Sequence, residues 1–303
     1  MADLAVEVAG IKLKNPLITA SGTCGYGREL SQLFDLSRLG GIAVKGTTLE
    51  PRIGNPPPRI METAGGLLNS VGLQNPGVEK VATVEIPFLR QYDLAIIVNI
   101  AGHSYDDYRL MAEKLDTVEG IAALEVNISC PNVQAGGMAF GVDPQAAAAI
   151  TALVRKATTL PLIVKLSPNV TDIGEIAKAV EAAGADAVSL INTMLGMSID
   201  IEKKKPFLAN TTGGLSGPAL KPVALRMVWQ TARAVSIPVI GMGGICSARD
   251  ALEFMMAGAA AFQIGAAAFH DPLVAITIIR DLENWLDQHG VAQIADIIGA
   301  AQS

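Results

Sequence analysis

Cysteine is scarce in this sequence, and its placement excludes several kinds of site. Three cysteines occur among 303 residues, Cys24, Cys130 and Cys246, and none belongs to a CxxC pair. Cysteines so far apart predict neither a disulfide framework nor a zinc or iron–sulfur centre held by this chain. We therefore expect no metal site and, by default, a reducing cytoplasmic location.

Charge is limited too, and basic residues are the minority. Charged residues make up 17% of the chain, and the formal net charge is −6. A nucleic-acid partner is not expected, because no basic stripe is present to meet phosphates. The longest basic cluster, Lys203–Lys205, is interpreted as a solvated loop.

Apolar runs long enough for a membrane are missing. The most apolar region, 254–269, has about 16 residues without a charge, fewer than the ~20 that a spanning helix needs. The amino terminus carries Asp3 and Glu7 and lacks a basic leader, so no secretory signal is predicted. We expect no membrane association.

What the chain does contain is a regular alternation of short apolar runs with helical patterns, which is typical of βα units. Eight such units in about 300 residues predict one (β/α)8 TIM-barrel domain over residues 1–303, preceded by a small hairpin at 4–13. The eight runs are 17–20, 42–44, 94–98, 122–126, 162–164, 187–191, 238–240 and 261–264.

Amide or amine side chains follow five of these runs. They are Lys45, Asn99, Asn127, Lys165 and Asn192. Catalytic groups of TIM barrels come from the carboxyl ends of the strands. One such residue alone is equally well explained as a strand meeting water, but five with no carboxylate among them predict a shared polar cavity.

Three connections are too long to be simple turns. Segments 48–77 and 194–217 are expected to cover the site or to bind a partner. Segment 133–142 contains Gly136, Gly137 and Gly141, which suits a lid that moves.

Small residues follow the last two runs and predict a phosphate site. Gly243, Gly244, Gly265 and Ala266 leave room for backbone N–H groups around an anion. A dinucleotide fingerprint is not matched, because Cys246 stands where GxGxxG requires glycine. Simple tight turns remain the alternative.

Seven motifs together resemble the dihydroorotate dehydrogenases over nearly the whole chain. The cysteine in NISCPN resembles the class 1 cytosolic enzymes, because the membrane-bound class 2 enzymes have serine there. GNPPPRI and VGLQNPG resemble subclass 1B more than the fumarate-using homodimers of subclass 1A. The motifs are VKGTT (44–48), GNPPPRI (54–60), NSVGLQNPG (69–77), NISCPN (127–132), VKLSPN (164–169), GGLSGPA (213–219) and GMGGI (241–245).

The resemblance implies oxidation of (S)-dihydroorotate to orotate in de novo pyrimidine (UMP) biosynthesis. One FMN per chain would accept hydride from C6 while Cys130 removes the proton from C5. Electrons would then pass to NAD+ through a partner subunit that carries FAD and a [2Fe–2S] cluster. The implied assembly is a heterotetramer of two catalytic and two electron-transfer chains.

The resemblance also assigns binding residues, and asparagine suits the orotate anion because it offers a donor and an acceptor without adding negative charge. Those implied for the substrate are Lys45, Asn69, Ser70, Val71, Gly72, Leu73, Asn127, Asn192 and Thr193. Those implied for FMN are Ser21, Lys45, Gly46, Asn99, Asn127, Lys165, Ile191, Gly217, Gly243, Gly244, Gly265 and Ala266.

Three alternatives stay open at this point. A subclass 1A homodimer would reduce fumarate without a partner. A flavin-free barrel lyase or isomerase would act on a phosphorylated substrate through a Schiff-base lysine. It would explain Lys165 and the glycines but leave Cys130 and the asparagines unused. A catalytically inactive barrel would serve as a binding subunit.

The first prediction concerns Cys130. A free thiol has a pKa of ~8.5, so only a small fraction is thiolate at neutral pH, and the turnover rate should rise with pH. Cys130→Ser should lower the rate roughly 10²-fold or more, as loss of a general base does. A near-native rate in a mutant that keeps its flavin, with flavin reduction still limiting, would contradict the assignment.

Overall fold

The computed structural model describes residues 2–129 and 140–302. Most of its strands are short apolar segments of the kind found in buried parallel sheets. In chain order the strands of this described part are β1 (Val6–Val8), β2 (Ile11–Leu13), β3 (Leu17–Thr19), β4 (Gly41–Ala43), β5 (Ile60–Thr63), β6 (Gly66–Asn69), β7 (Ala95–Ile100), β8 (Ala123–Asn127), β9 (Leu162–Lys165), β10 (Ala187–Leu190), β11 (Met194–Met197), β12 (Ile199–Asp200), β13 (Lys205–Pro206), β14 (Thr212–Ser216), β15 (Val239–Met242) and β16 (Ala259–Ile264).

Eight parallel strands close into a barrel. Their order around it is β3-β4-β7-β8-β9-β10-β15-β16, and β16 pairs with β3 to complete the ring. The predicted TIM barrel is therefore confirmed, with all eight apolar runs in barrel strands. The predicted hairpin is also present, as β1 paired antiparallel with β2.

Helices cover the outside of the barrel. The π-helical turn Val81–Glu85 joins the first two, and four 3-10 turns lie at Leu30–Gln32, Leu36–Arg38, Pro218–Leu220 and Ile294–Ile297. The α-helices of the described part are α1 (Val78–Lys80), α2 (Ile86–Leu89), α3 (Tyr105–Asp116), α4 (Pro144–Ala157), α5 (Ile173–Ala182), α6 (Lys221–Ala234), α7 (Ala248–Met256), α8 (Ala267–His270) and α9 (Val274–His289).

Side-chain caps fix where several of these helices begin. Ser104 and Asp107 form a capping box at the start of α3, and Asp143 accepts from the backbone N–H of Ala146 in α4. Such caps satisfy N–H groups that have no partner within the helix. At the other end of α9, Gly290 adopts φ 66°, the left-handed conformation that ends many helices.

One predicted helix, over 28–36, is wrong. This segment holds only the two 3-10 turns Leu30–Gln32 and Leu36–Arg38. Asp35 is extended, with ψ 115°, and its side chain accepts from the backbone N–H of Ser37. That local hydrogen bond starts a new turn, because aspartate competes with the helix for backbone donors.

The two longest connections are ordered as a sheet, which the sequence did not predict. β5 and β6 come from segment 48–77, and β11 and β14 come from segment 194–217. They pair antiparallel in the order β11-β14-β6-β5, with Asn69 opposite Gly214. We call these four strands the insertion sheet.

No helix within residues 2–129 and 140–302 is long and apolar enough to cross a membrane. This finding agrees with the apolar region 254–269, which is divided between the end of α7 and strand β16.

Burial along α9 generates a stability prediction. Leu286 of this helix is fully buried, whereas Leu273 at its N-cap is 47% exposed. Leu286→Ala should lower the free energy of unfolding by about 2–5 kcal/mol, because it leaves a cavity in the core. Leu273→Ala is the matched control and should cost less than about 0.5 kcal/mol. Urea unfolding of both variants measures the difference, and equal losses would contradict this packing.

Candidate active site

A cavity of about 660 Å³ lies at the carboxyl ends of the barrel strands, with the insertion sheet on one side. Cys130 lies outside the described residues, although Ile128 and Ser129 just before it line the cavity. Every other residue predicted for substrate or cofactor is in the wall. These are Ser21, Lys45, Gly46, Asn69, Ser70, Val71, Gly72, Leu73, Asn99, Asn127, Lys165, Ile191, Asn192, Thr193, Gly217, Gly243, Gly244, Gly265 and Ala266.

Three asparagines line the cavity from different elements. Asn192 Nδ2 donates to Asn127 Oδ1 at 3.3 Å, and Asn69 Nδ2 donates to the carbonyl of Gly214 in the insertion sheet at 3.3 Å. The backbone N–H of Ser129 also donates to Asn127 Oδ1, at 3.1 Å. These contacts hold the amides in place beside the cavity while leaving further donors and acceptors for a planar polar ligand.

Two lysines supply positive charge. Burial, and then the neighbouring charge of Lys165, lowers the pKa of Lys45, because both effects disfavour a second ammonium in the same enclosure. Lys165 is itself only 4% exposed, and its Nζ lies 3.7 Å from a carboxylate oxygen of Glu125. The cavity therefore favours an anionic or electron-accepting ligand.

Glu125 is the main site residue that the sequence analysis missed. It is fully buried in β8 and accepts from Asn99 Nδ2 at 2.6 Å, Ser189 Oγ at 2.8 Å and Gln263 Nε2 at 2.9 Å. It lies two positions before Asn127, and residues two apart in a strand point to the same side. That alternation was the available signal, but only strand ends were considered.

The other end of the cavity is built from glycine backbone. Gly217, Gly243 and Gly244 have φ of 116°, 124° and 79°. A Cβ at Gly244 would lie 2.7 Å from the backbone nitrogen of Lys221, and one at Gly217 would lie 2.5 Å from Gly66 Cα. Only glycine fits these backbone angles and distances. The turn Pro218–Leu220 and α6 follow directly, so free N–H groups at this end suit an anion.

Three further cavity residues were not predicted. Ser167 and Asn169 lie in the motif VKLSPN but were given no role, and Gln263 lies in β16. Asn169 donates from Nδ2 to the carbonyl of Thr193 at 3.2 Å and accepts from the backbone N–H of Leu195 at 2.9 Å. It thereby ties the end of β9 to the start of the insertion sheet.

The two cysteines in the described part are unlike a reactive thiolate. Cys24 is buried, with Sγ 3.0 Å from Thr19 Oγ1, and burial raises its pKa to about 11. Cys246 lines the cavity, and burial raises its pKa as well. In residues 2–129 and 140–302 no cluster of His, Cys, Asp and Glu is arranged to hold a metal.

Known proteins match this chain over nearly its full length. The sequence profile of the family described as dihydroorotate dehydrogenase matches residues 3–286. A relative from Geotalea uraniireducens is 57% identical over 298 residues, covering 98% of each chain. One from Desulforamulus reducens is 57% identical, and one from Geobacter sulfurreducens is 55% identical; both alignments cover 99% of this chain and 98% of the relative. All three are named dihydroorotate dehydrogenase B (NAD(+)), catalytic subunit. The chain belongs to the dihydroorotate dehydrogenase family.

Proposed function

We propose that this chain oxidises (S)-dihydroorotate to orotate as the catalytic subunit of an NAD+-linked dihydroorotate dehydrogenase. The observation that carries the proposal is the cavity itself. Amides and lysines from separate strands meet in it, together with a glycine-lined end suited to a phosphate. The names of the relatives, which specify NAD(+) and a catalytic subunit, support the same reaction.

The cavity wall fits FMN in two respects. Asn99 Oδ1 and Gln263 Oε1 are buried acceptors that have no hydrogen-bond partner in the described part of the chain, and a polar ring edge would satisfy them. Gly217, Gly243, Gly244, Gly265 and Ala266 would surround the phosphate and ribityl chain, while Ser21, Gly46 and Ile191 would line the ring. When bound there, FMN supplies the acceptor for the hydride from C6 of dihydroorotate.

The remaining residues suit the substrate. Asn69, Asn127 and Asn192 would orient the pyrimidine ring, with Thr193 and the stretch Ser70–Leu73 around its carboxylate. Lys45 would provide the ammonium near both ligands. Cys130 follows directly after Ser129 of the cavity wall, and we retain it as the base that removes the C5 proton.

The electrons require a second subunit in this proposal. We infer a partner that carries FAD and a [2Fe–2S] cluster, in a heterotetramer of two catalytic and two electron-transfer chains. The words "catalytic subunit" in the relatives' names support such a partner. We further propose that the chain is one FMN-binding domain working in the cytoplasm, since its three cysteines are far apart in the sequence.

The purified protein tests this function directly. We expect yellow protein whose flavin absorbance is bleached by dihydroorotate under anaerobic conditions. Co-purification from the native host should yield a stoichiometric partner with iron–sulfur absorbance, and the complex should reduce NAD+. Colourless protein would favour the lyase or isomerase, yellow protein that dihydroorotate does not bleach would favour an inactive barrel, and fumarate reduction by the chain alone would favour subclass 1A.

Lys45 generates a pH prediction. Its pKa is lowered in the free protein, and a bound orotate anion favours the ammonium, so binding raises that pKa again. Affinity for orotate should therefore be constant below the free-state pKa of Lys45 and should fall above it, by up to tenfold per pH unit. Titrations of flavin absorbance with orotate across pH measure this decline.

Lys45→Met is the control for that experiment. It should bind orotate roughly 10-fold or more weakly near neutral pH, because a charged hydrogen bond is lost. The part of the alkaline decline that depends on Lys45 should disappear. An unchanged pH profile in this variant would show that another group titrates.

A further inference from the structure

The floor of the cavity holds a buried carboxylate that the proposed chemistry does not use. Glu125 has no exposed surface, and its two oxygens accept three hydrogen bonds from side chains on three other barrel strands. A buried charge is costly unless it is paired and hydrogen-bonded. The ammonium of Lys165 at 3.7 Å supplies the paired charge.

A carboxylate that accepts from an amide also determines which way the amide faces. Asn99 and Gln263 each present nitrogen to Glu125, at 2.6 Å and 2.9 Å. Their carbonyl oxygens must then point elsewhere, and these are the two buried acceptors without a partner in the described part of the chain. Both residues line the cavity, and Asn99 Oδ1 lies 3.0 Å from where a Cβ of Gly46, another wall residue, would stand.

We propose that Glu125 is a positioning residue that sets the polarity of the cavity floor. It holds Asn99 and Gln263 with their carbonyl oxygens toward the cofactor, and it balances the charge of Lys165. The proposal rests on the proposed function, because the ligand that reads this polarity is taken to be FMN.

Glu125→Gln tests the proposal with little change in side-chain volume. A glutamine has one oxygen and one nitrogen where the carboxylate has two oxygens. Asn99 bonds to one oxygen of Glu125, while Ser189 and Gln263 share the other. Whichever way the new amide turns, Asn99 or Gln263 must reverse, and a donor then replaces an acceptor at the cavity wall.

The charge change has a separate consequence. Without the carboxylate, the ammonium of Lys165 is no longer balanced, and the cavity becomes more positive. Reduced flavin carries more negative charge than oxidised flavin, so a more positive site stabilises the reduced form. The reduction potential of the bound flavin should therefore rise, a result that loss of packing alone does not predict.

The experiment uses the full chain stripped of flavin and reconstituted with FMN. Glu125→Gln should weaken binding of oxidised FMN about 10-fold or more, because buried polar groups lose their partners. It should also raise the ratio of affinities for reduced over oxidised FMN about fivefold or more, within the usual range of coupling between sites. Titration and spectroelectrochemistry measure the two quantities without any turnover assay.

A double variant separates charge from structure and serves if Glu125→Gln does not fold. Glu125→Gln with Asn99→Asp exchanges the carboxylate and the amide, so that the amide at position 125 can donate to the carboxylate at position 99 and still accept from Ser189 and Gln263. The negative charge then lies at the cavity wall, and the ratio of affinities for reduced over oxidised FMN should fall below that of the parent protein.

Thr151→Val is the matched control for a buried polar change away from the cavity. Thr151 is fully buried in α4 and bonds only within that helix, to the carbonyl of Ala147. Both flavin quantities should stay within about twofold of the parent in this variant, as expected for a distant site.

The outcomes distinguish the two proposals. If the parent chain binds no FMN, the proposed function fails and this inference fails with it. If the parent binds FMN and Glu125→Gln matches it in both quantities, only the role of Glu125 is overturned. A shift of the same sign in the single and the double variant would also overturn it.

Discussion

The structure depends on closure of the parallel barrel. Each strand is hydrogen-bonded on both sides, so its register is fixed and alternate side chains must point inward. In β7, β8, β9, β10 and β16 that alternation brings Asn99, Glu125, Lys165, Ser189 and Gln263 to one level of the interior. A polar layer of this kind requires strands whose relative positions do not change.

The insertion sheet depends on the same frame. Its strands leave the barrel after β4 and β10 and meet over the mouth, where Asn69 pairs with Gly214 and Asn169 holds the backbone of Thr193 and Leu195. The cavity therefore has a rigid floor from the barrel and a wall from chain segments distant in sequence. Side chains for a ring can come from the floor, while backbone from the sheet shapes the rim.

The barrel and nearly all of its wall could be predicted because they depend on local pattern. Apolar runs identify strands, and Lys45, Asn127 and Lys165 follow such runs directly. The insertion sheet could not be predicted, because pairing of β6 with β14 depends on residues about 145 apart. Glu125 escaped for a related reason, since a carboxylate within an apolar run has meaning only once Asn99, Ser189 and Gln263 are placed around it.

The charges of the cavity differ in how they are balanced. Lys165 is paired with Glu125 inside the protein, whereas no carboxylate in the described part of the chain forms an ion pair with Lys45, whose pKa is lowered. A lysine that is already neutralised contributes a fixed orientation, but one that is not gains most when an anion arrives. The two lysines are thus suited to separate tasks: Lys165 to the permanent floor on which the cofactor rests, and Lys45 to a substrate that enters and leaves.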